Sequence, residues 1–287
     1  MIEENRLSVK KVIGSSFVAI VILVVCQMIA VFFATAFTLI KVPDGVCNII
    51  AGVLYLGSSY WALNLFIRKV LKRDKSEYGM PKLDIKLSWL LVALLLPLFV
   101  QGAYLLFFKG QYVSSNMSRK DIFTSLSAGI MFTGIAAGFV EEMVFRGVIM
   151  NLLKEKWNTT IAVVIPSLLF GFVHIIGMDF SFGSCLLILA SGTMVGIMFS
   201  LIALQSSVWN SGLVHALWNI FICGGVLSIG DEAVDSSIIS YVLESKAFFV
   251  TGGEFGIESS LVALLGYILV AGLAFALMKK NKGKGTI

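Results

Sequence analysis

AGFVEEMVFRGV, residues 137–148, sets two adjacent glutamates and an arginine inside a stretch that otherwise reads as the middle of an apolar helix. On insertion scales a charged side chain at the bilayer centre costs about 2.5–3.5 kcal/mol, so Glu141, Glu142 and Arg146 together cost about 8–10 kcal/mol before compensation. Such residues face a bundle interior or a wet cavity and mark function. The stretch therefore poses the fold and the function as one problem: which bundle holds these charges, and for what use.

The surrounding sequence supplies the bundle. Of 287 residues, 58% are hydrophobic and 14% charged, against about 25% charged in ordinary globular chains. Crossing about 30 Å of hydrocarbon takes roughly 20 apolar residues. Apolar runs on that scale fall at about 12–40, 46–67, 88–108, 124–150, 160–178, 182–204, 207–228 and 259–278, the fifth and seventh interrupted by polar residues. The expectation is an all-α, multi-pass transmembrane bundle of about eight helices, a single integral membrane domain over residues 1–287. The first run resembles a secretory signal, with Ala34-Thr35-Ala36 as a cleavage site, but it exceeds the roughly 7–15 residues of a signal's apolar region and reads as a transmembrane helix.

The net charge of +5 is explained by its distribution, and no nucleic-acid partner is needed to account for it. With eight crossings and the N-terminus inside, sixteen of the 22 lysines and arginines fall on inner segments, among them Arg6, the 68–86 connection and Lys279 to Lys284. Five fall outside: Lys41, Lys109, Arg119, Lys120 and Lys246. This bias predicts both termini in the cytoplasm and the acidic 231–258 loop outside. The basic 68–86 connection is expected along the anionic inner leaflet. Gln27, Asn48, Asn64 and Gln101 read as interhelical or interfacial polar residues. Cys26, Cys47, Cys185 and Cys223 sit in apolar runs without pairing or metal spacing and read as small buried hydrophobes.

Helix geometry separates the three charges. Glu142 and Arg146, four residues apart with the acid first, share a face in the favourable order for an ion pair. Glu141 is turned about 100° away with no base at that spacing, which leaves its carboxylate free. Residues 121–228 also hold both histidines of the chain: FGFVH puts Phe170 and His174 on one face, and HALWN does the same for His215 and Asn219. A glutamate and an imidazole can activate water, and a histidine with an amide can hydrogen-bond a developing oxyanion. That set suits hydrolysis of an amide bond. No GxSxG, HExxH or GxxxxGK[ST] occurs, which removes the common serine-hydrolase, zincin and nucleotide-binding readings.

Glu141-Glu142-x-x-x-Arg146, Phe170-x-x-x-His174 and His215-x-x-x-Asn219, in that order, resemble the three motifs of the CAAX prenyl endopeptidase and bacteriocin-processing family, the type II CAAX or Abi proteases. The resemblance implies an intramembrane glutamic endopeptidase in which Glu141 with His174 activates water, His215 and Asn219 form the oxyanion hole, and Glu142 with Arg146 supports the site. It implies no cofactor, and as partners membrane lipids and a membrane-associated peptide or lipidated-protein substrate: a prenylated tail, a bacteriocin or pheromone precursor, or a membrane-anchored regulator. The motifs span 141–219, and the ending KKNKGKGTI suggests a bacterial cell membrane.

By count alone His174, His215 and Glu141 could bind zinc, but three separate helices without HExxH spacing, and Asn219 beside His215, argue for a metal-independent site. The rival class is a non-catalytic immunity or scaffold protein, or a transporter relaying protons through Glu141 and the histidines. No inverted repeat supports a transporter, and every motif position holds a chemically competent residue. Counted along straight helices, the site residues lie at different depths, so the reading requires tilts or breaks, with Gly147, Pro166 and Gly171 as candidates.

Overall fold

The computed structural model describes residues 7–177 and 181–284, and side chains as far as 281. Arg6, the last residues of the basic tail and the side chains of Lys282 and Lys284 lie outside the described residues. Six helices are long and apolar enough to cross a membrane: α1 (Val9–Leu39), α2 (Asp44–Leu71), α3 (Leu87–Phe107), α4 (Arg119–Lys156), one over Phe182–Gln205 and one over Leu261–Asn281. Two shorter helices, α5 (Thr159–Val173) and α7 (Val208–Ile222), flank α6 (Phe182–Gln205), and α8 runs over Leu261–Lys284. The chain is an all-α, multi-pass integral membrane protein.

The eight apolar runs thus become six long helices and two of 15 residues. The two short ones end early for local reasons. α5 stops at Val173, where His174 turns its ring back onto the last helical carbonyls, and α7 stops at Ile222 ahead of Gly224 and Gly225, the latter at φ 78°. Pro166 does not end α5, nor do Gly147 and Gly171 interrupt their helices. The 124–150 run extends instead in both directions, because Ser118 and Asp121 form a capping box at the start of α4 and its C-terminal turn is built from polar residues to Lys156. α4 widens into π-helical turns at Ala128–Ala137 and Met143–Ile149. Such turns concentrate at functional sites. The Asn151 amide nitrogen donates to the carbonyls of Arg146 and Gly147 at 3.1 and 2.7 Å, satisfying groups at the second of these turns.

The connections between helices also hold a small sheet, one strand of which begins inside an apolar run. β1 (Gly110–Ser114) pairs antiparallel with β3 (Ile239–Leu243), which pairs parallel with β2 (Leu227–Gly230). The 207–228 run therefore does not stay helical to its end. Large apolar side chains such as Phe17, Phe32, Leu106 and Phe107 are 65–81% exposed on helix surfaces, a pattern a water-soluble chain could not sustain.

The buried residues form two main clusters. One joins α1, α2, α4 and part of α5; the other joins α3, α6, α7, α8 and the sheet. Polar side chains tie the helices: Asn48 donates to the Thr124 carbonyl at 3.0 Å and Gln101 to the Phe221 carbonyl at 2.7 Å. α4 and α7 approach closely at Gly138, where an added Cβ would lie 2.8 Å from the backbone of Ala216. That contact brings Glu141 and Glu142, one turn further along α4, alongside His215.

Candidate active site

Arg146 and Glu142 are both wholly buried and pair with each other, while Arg146 Nε and Glu142 Oε2 have no hydrogen-bond partner within the protein. Arg146 Nη1 donates to Glu142 Oε1 at 2.7 Å and Nη2 to the Gly196 carbonyl at 3.1 Å. The guanidinium also lies 4.5 Å from the Phe170 ring centre and 5.3 Å from that of Phe199. A desolvated cation over aromatic faces gains on the order of 2 kcal/mol. The spacing of four residues sets the ion pair; α5 and α6, distant in sequence, complete it.

His215 links this pair to Glu141. Its Nδ1 lies 3.2 Å from Glu142 Oε1, and its Nε2 lies 3.9 Å from Glu141 Oε2. The ring stacks on Phe199 at 4.6 Å and meets Phe170 edge-on at 5.8 Å. Packing therefore fixes the imidazole plane between two carboxylates. Glu142 accepts from both Arg146 and His215 through Oε1 alone, and neither Glu142 Oε2 nor Glu141 Oε2 has a hydrogen-bond partner within the protein. Glu141 is the less enclosed of the two, its side chain 23% exposed against zero for Glu142.

His174 caps the end of α5. Its Nδ1 lies 2.7 Å from the Phe170 carbonyl, and a carbonyl can only accept, so the proton sits on Nδ1 and the Nε2 lone pair is left available. Asn219, one turn after His215 on α7, donates from Nδ2 to the Thr133 carbonyl in the first π-helical segment at 2.9 Å. One bond holds the amide and leaves its second N–H free.

Glu141, His174, His215 and Asn219 line one cavity of about 220 Å³ at the seam between the two core clusters, with Phe170, Phe199, Trp218 and Tyr267 among its apolar walls. The difference in depth counted along straight helices disappears because α5 and α7 are short. Each contributes its site residues from the half nearer the sheet. Among the described residues, no group of three or more His, Cys, Asp or Glu side chains is arranged to hold a metal ion.

Residues 123–221 match the family model Rce1-like, described as type II CAAX prenyl endopeptidase Rce1-like. The matched segment contains all three motifs and ends two residues beyond Asn219. The chain is also similar to a Bacillus subtilis (strain 168) protein named "Putative membrane peptidase YdiL", 26% identical over 164 residues, which is 55% of this chain and 64% of the relative. The match therefore spans less than two thirds of that relative's length. No solved structure matches.

Two cavity residues were not singled out by the sequence. Glu258, expected in an outer acidic loop, folds back into the cavity wall, and Cys223, expected to be a small buried hydrophobe, is exposed there with its Sγ 3.3 Å from Glu258 Oε1. Neither carries a motif, and only the fold of residues 248–260 over the end of α7 brings them to the site.

Proposed function

We propose that the chain is an intramembrane glutamic endopeptidase acting on a membrane-associated peptide or lipidated protein. One observation carries the reading: Glu141, the more exposed of the two glutamates and one whose Oε2 makes no hydrogen bond within the protein, faces the same cavity as His174, His215 and Asn219. Glu141 takes a proton from water. The gap of 3.9 Å to His215 Nε2 is one that a water molecule bridges, and the His174 Nε2 lone pair accepts the water's other hydrogen. The hydroxide adds to the scissile carbonyl, and its oxygen becomes an oxyanion.

Asn219, through its free amide N–H, then donates to that oxyanion. His215, which lines the same cavity, is its proposed partner at the oxyanion. Glu141 delivers its proton to the leaving amine as the C–N bond breaks. The residues supply base, acid and oxyanion donors without a metal, so cleavage is expected to survive exhaustive chelation. The cell membrane of a bacterium is the proposed setting.

Purified protein reconstituted in lipid should cleave members of a fluorogenic peptide library, and Glu141→Gln should abolish cleavage while its melting temperature stays near that of the parent. Glutamine keeps the shape of the side chain but cannot accept the water proton. Robust turnover by that variant overturns the assignment, and a parent that cleaves no peptide overturns the reading.

A further inference from the structure

Glu258 is the third carboxylate of this region, and it lies outside both the three motifs and the matched segment. It sits in the short 3₁₀ turn Ile257–Ser259, immediately before α8. Its two oxygens are oriented from α7: Trp218 Nε1 donates to Oε2 at 3.0 Å, and the Cys223 thiol lies 3.3 Å from Oε1. Tyr267, from α8, fixes the turn by donating to the Glu258 carbonyl at 3.0 Å. A carboxylate has about four acceptor positions, so two remain for something else.

The lining of the cavity says what that something is. It includes Glu141 and Glu258 but no lysine or arginine. Arg146 is buried and bonded to Glu142 and Gly196. The walls beside Glu258 are aromatic: Trp218 and Tyr267 meet edge-to-face at 5.2 Å, and Phe255 abuts the His174 ring at 5.8 Å. Carboxylate oxygens among aromatic faces bind a cation by ion pairing and by cation–π attraction together.

We infer that Glu258 is a specificity-determining residue that receives a basic side chain of the substrate, lysine or arginine, close to the scissile bond. This rests on the endopeptidase reading. The volume of about 220 Å³ lies below the roughly 300–1,000 Å³ of drug-sized ligand pockets, so the cavity has room for a side chain and a short length of backbone. The same field disfavours an acidic residue or a free carboxylate at that position.

The test uses quenched peptides that differ only in carrying Lys, Gln or Glu at each position flanking the cleaved bond. At one position the parent should prefer Lys over Gln by about tenfold in kcat/KM, the factor that a single charge-assisted hydrogen bond supplies, with Glu poorest. Glu258→Gln, which retains an acceptor for Trp218, should bring the Lys-to-Gln ratio towards one; Glu258→Asp should restore part of it and Glu258→Lys should invert it. No Lys preference at any position, or a preference that persists in Glu258→Gln, overturns the inference and leaves the endopeptidase reading intact. Binding of the same labelled peptides, measured by fluorescence anisotropy, separates the two failures. If nothing is cleaved but Lys peptides bind more tightly through Glu258, the endopeptidase reading falls and the cation site stands. If nothing is cleaved and binding ignores charge, both fall.

Discussion

Arg146 and Glu142 carry charges that no water can reach, so each depends on the other. Removing one partner of a buried pair strands the remaining charge at a cost of about 3–5 kcal/mol. Arg146→Ala and Glu142→Ala should therefore lower the melting temperature in detergent as well as any activity; two variants that melt like the parent would show that the pair is not what stabilises α4. Asn219→Ala behaves differently, because its amide faces the cavity. Loss of one oxyanion donor costs roughly 10²–10³ in rate, so kcat should fall by that order with KM little changed, and an effect confined to KM would make Asn219 a positioning residue. The pair was legible in the sequence because four residues along a helix return to the same face. His215 beside Glu142 was not, since 73 positions separate them and only the crossing of α4 and α7 brings them together. Glu258 was less legible still: a glutamate in an acidic connection looks like any solvated charge.

That crossing depends on Gly138, which has no side chain where Ala216 passes. Gly138→Val should force α4 and α7 apart, carry both glutamates away from His215, and reduce turnover by at least about tenfold with a lower melting temperature. Gly102→Ala is the control: it lies within α3, and an added Cβ there meets nothing within 4 Å, so the expectation is no loss of stability but a gain of about 0.4–1 kcal/mol. Equal effects from the two would mean that helix propensity and not close approach is at work. The long helices were readable within a few residues because length and apolarity suffice to define them. The π-helical turns of α4 were not, since they arise from packing against neighbours and leave no period of their own. The β-strands were hidden for a related reason: β1 and β3 pair Gly110 with Leu243, across a separation that no local pattern reports, and β2, set off from α7 by Gly224 and Gly225, is only four residues long.

Across the whole molecule the connections sort onto two faces, and contacts within each face fix the assignment independently of charge. β1 and β3 join the connection after α3 to the one after α7, and the Lys120–Asp44 contact at 3.3 Å adds the α1–α2 turn to the same face. On the opposite face, Arg73 pairs with Glu155 at 2.8 Å, and Val208 N–H donates to the Gly79 carbonyl at 3.0 Å, joining the α2–α3 connection to the α4–α5 and α6–α7 turns. The second face carries the basic 68–86 stretch with Lys154 and Lys156, and the first carries Asp231, Glu232 and Asp235. The excess of lysine and arginine marks the cytoplasmic side, so the proposed orientation puts the sheet and the turn that holds Glu258 outside. A cysteine introduced at Glu232, which is exposed, should react with a membrane-impermeant maleimide on intact cells above the parent's background. One introduced at Glu77, half exposed on the other face, should react only once the membrane is opened. The reverse pattern would turn the molecule over in the membrane, place the cavity mouth towards the cytoplasm, and require a substrate presented from that side.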